Sequence, residues 1–261
     1  MQQIATLTGV MTRFPIEERM AAIAEAGFDA VCLDFERDME ASETSWENQV
    51  RLAEKYHLPV ENVHLTGVDM TAVWQSGEAG ERVTRRLIDE LRDMSALGIK
   101  VGVAHVTWGY DRPAGERKLA LSRYLRAAEA AEKYGVILAL ENSVYAEYVH
   151  FLLENIKIPA IGFCYDSGHE NAFTPEEDYL SRYSDRLVAM HLHDNDGKND
   201  NHYLPFHPNG TIDWQKKAAV LSKTALYRRM IMMEAVPDAD TPKKGFADLM
   251  ESAKRLARIT E

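Results

Sequence analysis

The chain has 261 residues, enough for one large domain with a sizeable core, and its 46% hydrophobic and 27% charged content is that of an ordinary globular protein. A net charge of −11 argues against a nucleic-acid partner, because affinity for a phosphate backbone comes from clustered Lys and Arg. Only two cysteines occur, Cys32 and Cys164, both inside apolar runs, which reads as two buried thiols in a reducing compartment. The first residues lack a charged stretch leading into a long apolar one, and no run approaches about 18 apolar residues. A soluble, cytoplasmic protein without a membrane partner is the expectation.

Taken in chain order, short apolar runs alternate with helical patterns eight times. Strands are predicted over 3–8, 28–35, 60–65, 101–106, 136–140, 160–165, 187–192 and 230–234. Several are nearly continuous apolar runs, as parallel strands buried on both faces require. The first helical segment opens at Pro15 and ends near Gly27, the usual placement of those two residues. Later segments are predicted over 47–56, 80–97, 114–134, 145–154, 175–182, 214–222 and 245–259. AEAGFDAV, SALGIKVGV and AEKYGVILAL share one grammar: helix end, glycine, strand. Eight such units with right-handed crossovers and no GxGxxG turn predict a single-domain α/β fold over 1–261, a closed (β/α)8 TIM barrel.

In such a barrel the active site lies at the C-terminal ends of the strands. From the third strand onward those ends carry His64, His105, Glu141, Asp166, His191 and Glu234. A lone histidine in a strand is usually a packed core residue, but six carboxylates and imidazoles converging on one rim need a compensating charge. A divalent cation supplies it, and oxygen and imidazole ligands suit Mn, Zn, Fe or Mg. His169 follows Asp166 in DSGH, read as a tight turn, and Asp200 and His202 form a D-x-H pair in the long polar loop after His191. Turn formation is the competing reading for Asp196 and Asn199 in that loop. His193, two residues from His191, shares its face and reads as a substrate contact or alternative ligand. His57 and His150 read as surface residues at helix ends, and His207 has no assigned role. Trp74 and Trp108 follow the third and fourth strands, where each suits either a sugar-stacking wall or packing under the loops.

Glu in LEN, Asp and His in DSGH, His in MHLHD, D-x-H before GTIDW, and Glu in MEA together resemble the xylose-isomerase-like barrel superfamily. That superfamily holds sugar and sugar-phosphate isomerases and epimerases, and apurinic-site endonucleases of the endonuclease IV type. The resemblance implies one metal held by Glu141, Asp166, His191 and Glu234, as in the epimerases. Further ligands at His64, His105, His169, Asp200 and His202 would match the endonucleases, which hold up to three metals. It also implies a small carbohydrate-like substrate, proton transfer by Glu141 and Glu234 through a cis-enediolate, and a homo-oligomer. Lys198 would then meet a phosphate or acid group. The chain departs from both branches: Gly197 and Lys198 stand where ketose epimerases carry an arginine, and Pro208-Asn209-Gly210 where the endonucleases have Gly-Glu-Gly. The alternatives to an isomerase or epimerase are a di- or trinuclear phosphodiesterase, a lyase or dehydratase on the same scaffold, and a non-catalytic binding barrel.

Overall fold

A computed structural model describes residues 2–34, 45–110 and 112–259. Eight strands form one parallel sheet: β1 (Gln3–Leu7), β2 (Ala30–Asp34), β3 (Val60–His64), β4 (Val101–His105), β5 (Ile137–Glu141), β6 (Ile161–Asp166), β7 (Leu187–His191) and β8 (Met230–Met233). Their order is β7-β6-β5-β4-β3-β2-β1-β8. The ring closes where Leu192 bridges Met233: Leu192 N–H donates to the Met232 carbonyl (3.0 Å) and Glu234 N–H to the Leu192 carbonyl (3.2 Å). The predicted barrel is the observed fold.

The helices are α1 (Ile16–Ala26), α2 (Trp46–Lys55), α3 (Glu78–Ala96), α4 (Arg117–Tyr134), α5 (Ala146–Asn155), α6 (Ser167–Phe173), α7 (Tyr179–Tyr183), α8 (Trp214–Leu221), α9 (Ala225–Arg229) and α10 (Pro242–Arg258). The glycine grammar has a backbone cause. Gly27, Gly98 and Gly135 follow α1, α3 and α4 at φ of 85°, 79° and 67°, the left-handed region that closes a helix before the chain turns into the next strand.

Four expectations need correction. The helix expected over 175–182 is the five-residue α7, preceded by an unexpected α6. DSGH is therefore the first turn of a helix rather than a tight turn, with the Asp166 carboxylate accepting from the His169 N–H at 2.6 Å as its cap. The second strand begins at Ala30, and its predicted end, Phe35, lies outside the described residues. His150 is no surface residue: it is buried within α5, 2.7 Å from the Tyr183 hydroxyl and 2.9 Å from Glu177. His57 is exposed, as expected.

Strand register carries the fold into the site. Asp34 pairs with His64, His105 with Glu141, and Asp166 with His191, so each pair stands at one height on the C-terminal rim. A one-residue slip would turn these side chains to the opposite face. The apolar residues preceding them, Leu140, Tyr165 and Met190, are fully buried.

Candidate metal centre

The rim surrounds a cavity of about 700 Å³. Glu234, just past β8, opens onto it, and Glu141, Asp166 and His191 sit behind its lining with no exposure. One ligand atom from each of these four falls within 4.8 Å of the others. His191 Nδ1 is 2.8 Å from Glu141 Oε1 and 2.7 Å from Glu234 Oε2. Glu141 Oε2 faces His105 Nε2 at 3.2 Å and His64 Nε2 at 3.4 Å, yet it makes no hydrogen bond. His191 Nε2 and Asp200 Oδ1 are also buried without a hydrogen-bond partner. Buried polar atoms left this way are costly unless a further group satisfies them. A donor set of carboxylates and imidazoles with unused lone pairs fits a divalent cation.

Three more groups of ligand atoms meet the same spacing: His64–Glu141–His191, His105–Glu141–His169 and His193–Asp200–His202. Asp200 joins the last two, with Oδ2 3.3 Å from His169 Nε2 and 3.2 Å from His202 Nε2. Of the nine ligand candidates, His64, His105, His169, Asp200, His202 and Glu234 line the cavity, and the buried Glu141, Asp166 and His191 stand within ligand spacing of them. His193 is fully buried between them: its Nε2 lies 3.2 Å from Asp166 Oδ2 and its ring stacks on His202 at 4.0 Å. Gly168 makes room for it, since a methyl group there would lie 1.9 Å from the His193 ring.

The electrostatics follow from burial against mutual attraction. Burial pushes the Glu141 carboxyl up, but His191 and His105 outweigh it and hold it well below the usual range. Glu234, opposed by burial and favoured by His191, is lowered to about 2. Burial opposes a charge on His64 and His202, but Glu141 and Asp200 respectively override it and raise both to about 9. His169 is raised well above its ordinary value by Asp166, Asp200 and Glu141, and His191 by Cys164, Glu234 and Glu141, in both cases against burial. Protons here occupy the role that a cation would take.

The loop that carries Asp200 and His202 is organised by Asp194, a residue the motif reading passed over. Its buried carboxylate accepts from the N–H groups of Asn195 (2.8 Å), Thr211 (3.0 Å) and Ile212 (3.1 Å) and from Trp214 Nε1 (2.7 Å). GTIDW is therefore a clasp for the loop, and Gly210 is required because a methyl group would lie 2.3 Å from Asp194. Asp196 accepts from the N–H groups of Lys198 and Asn199, the turn role expected of it. Lys198 is exposed and does not line the cavity. His207 stacks on Tyr203 at 4.3 Å.

The two tryptophans separate. Trp74 is fully buried, donating from Nε1 to the Val106 carbonyl at 2.7 Å and packing on Tyr148, whereas Trp108 lines the cavity and stacks on His105 at 5.6 Å. Asp34 also lines the cavity. It closes β2 as the other ligand candidates close their strands, but the apolar Phe35 after it hides that strand end in the sequence.

No helix among the described residues is long and apolar enough to cross a membrane. In comparison with known proteins, the chain is 30% identical over 178 residues to the uncharacterized protein y4fM of Sinorhizobium fredii, matching 63% of this chain and 55% of that one. The chain thus corresponds to about half the length of that relative. Among solved structures, a D-tagatose 3-epimerase-like protein superposes with a TM-score of 0.77 at 20% identity, over 99% of this chain and 98% of the other. D-psicose 3-epimerase from Clostridium cellulolyticum H10, solved with D-tagatose, gives 0.74 at 12% identity over the whole of both chains. At these identities the likeness is one of fold. The model of the xylose isomerase-like TIM barrel family matches residues 20–256, and the chain belongs to that family.

Proposed function

We propose that this protein is a divalent-metal-dependent isomerase or epimerase of a sugar or related polyhydroxylated carbonyl compound. One observation carries the reading: Glu141, Asp166, His191 and Glu234 bring four ligand atoms together at the cavity base. The sugar epimerases among the structural neighbours support the substrate class. When bound, a divalent cation would polarise a substrate carbonyl and acidify the adjacent C–H bond. Glu234 faces the cavity and stays ionised across neutral pH, as a group that removes a carbon-bound proton must. Glu141 is the second carboxylate; ionised at rest, it would return a proton to the enediolate by passing on one held by His64, whose Nε2 lies 3.4 Å from its Oε2. His64 and His105 hold Glu141 from two sides and fix its orientation.

The test is deuterium incorporation from solvent into D-tagatose or D-fructose by the manganese-loaded protein. Glu141→Gln and Glu234→Gln should each lower exchange about 10²–10⁴-fold. Exchange that persists in either variant removes that residue from proton transfer, and none in the wild type across a panel of ketoses counts against the isomerase itself.

A second reading, hydrolysis of a phosphoester, is favoured by the three additional ligand groups around His64, His105, His169, Asp200 and His202. Metal content separates the two: one tightly held ion per chain supports the isomerase, and three zinc ions the hydrolase.

A further inference from the structure

Four of the five large hydrophobic side chains exposed among the described residues crowd one place. Val68, Trp108, Tyr110 and Val236 all line the cavity mouth, and only Val220 lies elsewhere. An apolar ring around a charged base is a binding surface rather than a scatter of exposed residues, because leaving it in water forgoes the gain of covering it.

The ring is built to be rigid. The Thr71 hydroxyl accepts from the Trp108 N–H and donates to its carbonyl, both at 2.8 Å. The indole then stacks on His105, and Gly67 is required beneath it, since a methyl group there would lie 2.6 Å from the ring. Tyr110 meets Phe173 edge to face at 5.8 Å, and its carbonyl accepts from the Tyr145 hydroxyl. An aromatic wall held in place before binding loses little order when a ligand arrives. At about 700 Å³ the cavity has room for a drug-sized molecule rather than a single sugar ring. Among its described lining residues there is no Lys or Arg to meet a phosphate or carboxylate at the mouth.

We propose that the substrate is an uncharged glycoside whose sugar carries a ketone, with that sugar at the acidic and histidine base and an apolar, preferentially aromatic aglycone seated on Trp108, Tyr110 and Phe173. The proposal rests on the carbohydrate part of the reading above and narrows it: free monosaccharides and sugar phosphates become poorer ligands.

The experiment is calorimetric titration of the full chain, both manganese-loaded and metal-stripped. The probes are phenyl and methyl glycosides of D-glucose and D-galactose in both anomeric forms, with glucose 6-phosphate as the charged comparison. These glycosides carry no ketone, so affinity is read without turnover. Phenyl glycosides should bind about tenfold more tightly than methyl glycosides. Trp108→Ala should erase that difference, Trp108→Phe should keep part of it, and Val220→Ala should leave it intact. Equal affinity for phenyl and methyl glycosides overturns the proposal, as does tighter binding of glucose 6-phosphate or no saturable binding of any aryl glycoside. A dimer in sedimentation that Trp108→Ala dissociates, without a change in aryl preference, assigns the ring to a second copy and also overturns it. Failure here is distinct from failure of the isomerase reading. Lost deuterium exchange leaves the aryl preference standing, and exchange of a free ketose unaffected by Trp108→Ala leaves the isomerase standing.

Discussion

The base of the cavity and its loop-borne side are made of the same residue types but are held in different ways. Glu141, Asp166 and His191 end consecutive strands, are fully buried, and take their positions from sheet register. Asp200 and His202 belong to the segment between β7 and α8, remain partly exposed, and depend on hydrogen bonds radiating from Asp194. His202 even holds a left-handed φ of 52°, fixed by its Nδ1 contact to the Glu234 carbonyl (2.8 Å) and by the Val236 N–H donating to its own carbonyl (2.7 Å). Register places a ligand through dozens of shared backbone bonds, whereas a loop places it through a few. The base is therefore a property of the fold, and the outer group is an addition that can be removed separately.

Metal affinity tests that separation most severely. Asp166→Ala or His191→Ala should weaken binding of the tightest divalent ion by at least about 100-fold, measured by competition with a chelating dye. Asp200→Ala should leave that affinity within about tenfold while abolishing any weaker sites. Equal losses from both regions would show a single cooperative cluster instead. Next in size, Asp194→Ala strands the Asn195 and Ile212 N–H groups and the Trp214 indole, and should lower stability by about 3 kcal/mol in urea unfolding. The tight ion should still bind that variant, and a loss of it would tie the loop to the base.

The smallest effect is the dependence of stability on pH. In the metal-free protein His64 and His202 are raised from 6.5 to about 9, so the folded state holds their protons more tightly than the unfolded chain does. That contribution is complete below pH 6.5 and disappears as pH rises through 9. The melting temperature of stripped protein should fall over this window, and that of loaded protein should fall less, because a cation replaces the protons. Coincident profiles would contradict the assignment.

The same contrast governs what could be read in advance. Strands buried on both faces announce themselves as apolar runs, so the barrel and the residues ending β3 to β8 were legible from the sequence. Loop geometry was not. In a segment rich in Asp and Asn, nothing local distinguishes Asp194, which organises the loop, from Asp196, which makes a turn. Trp74 and Trp108 each follow a strand in the same way on paper, and tertiary packing alone sends one into the core and the other to the cavity. Serine and glycine made α6 look like a turn, because the capping carboxylate that starts it also served as a strand end.

The place where the ring closes has a consequence of its own. Leu192 and Met233 bridge β7 to β8 immediately beside His191 and Glu234, the two site residues contributed by those strands. A cation shared by that pair would cross-link the two strands that meet where the circle closes, acting as a rivet through its seam. Assembly of the site and completion of the barrel would then be one event, and opening of the seam would disarm the chemistry before any other strand had to move.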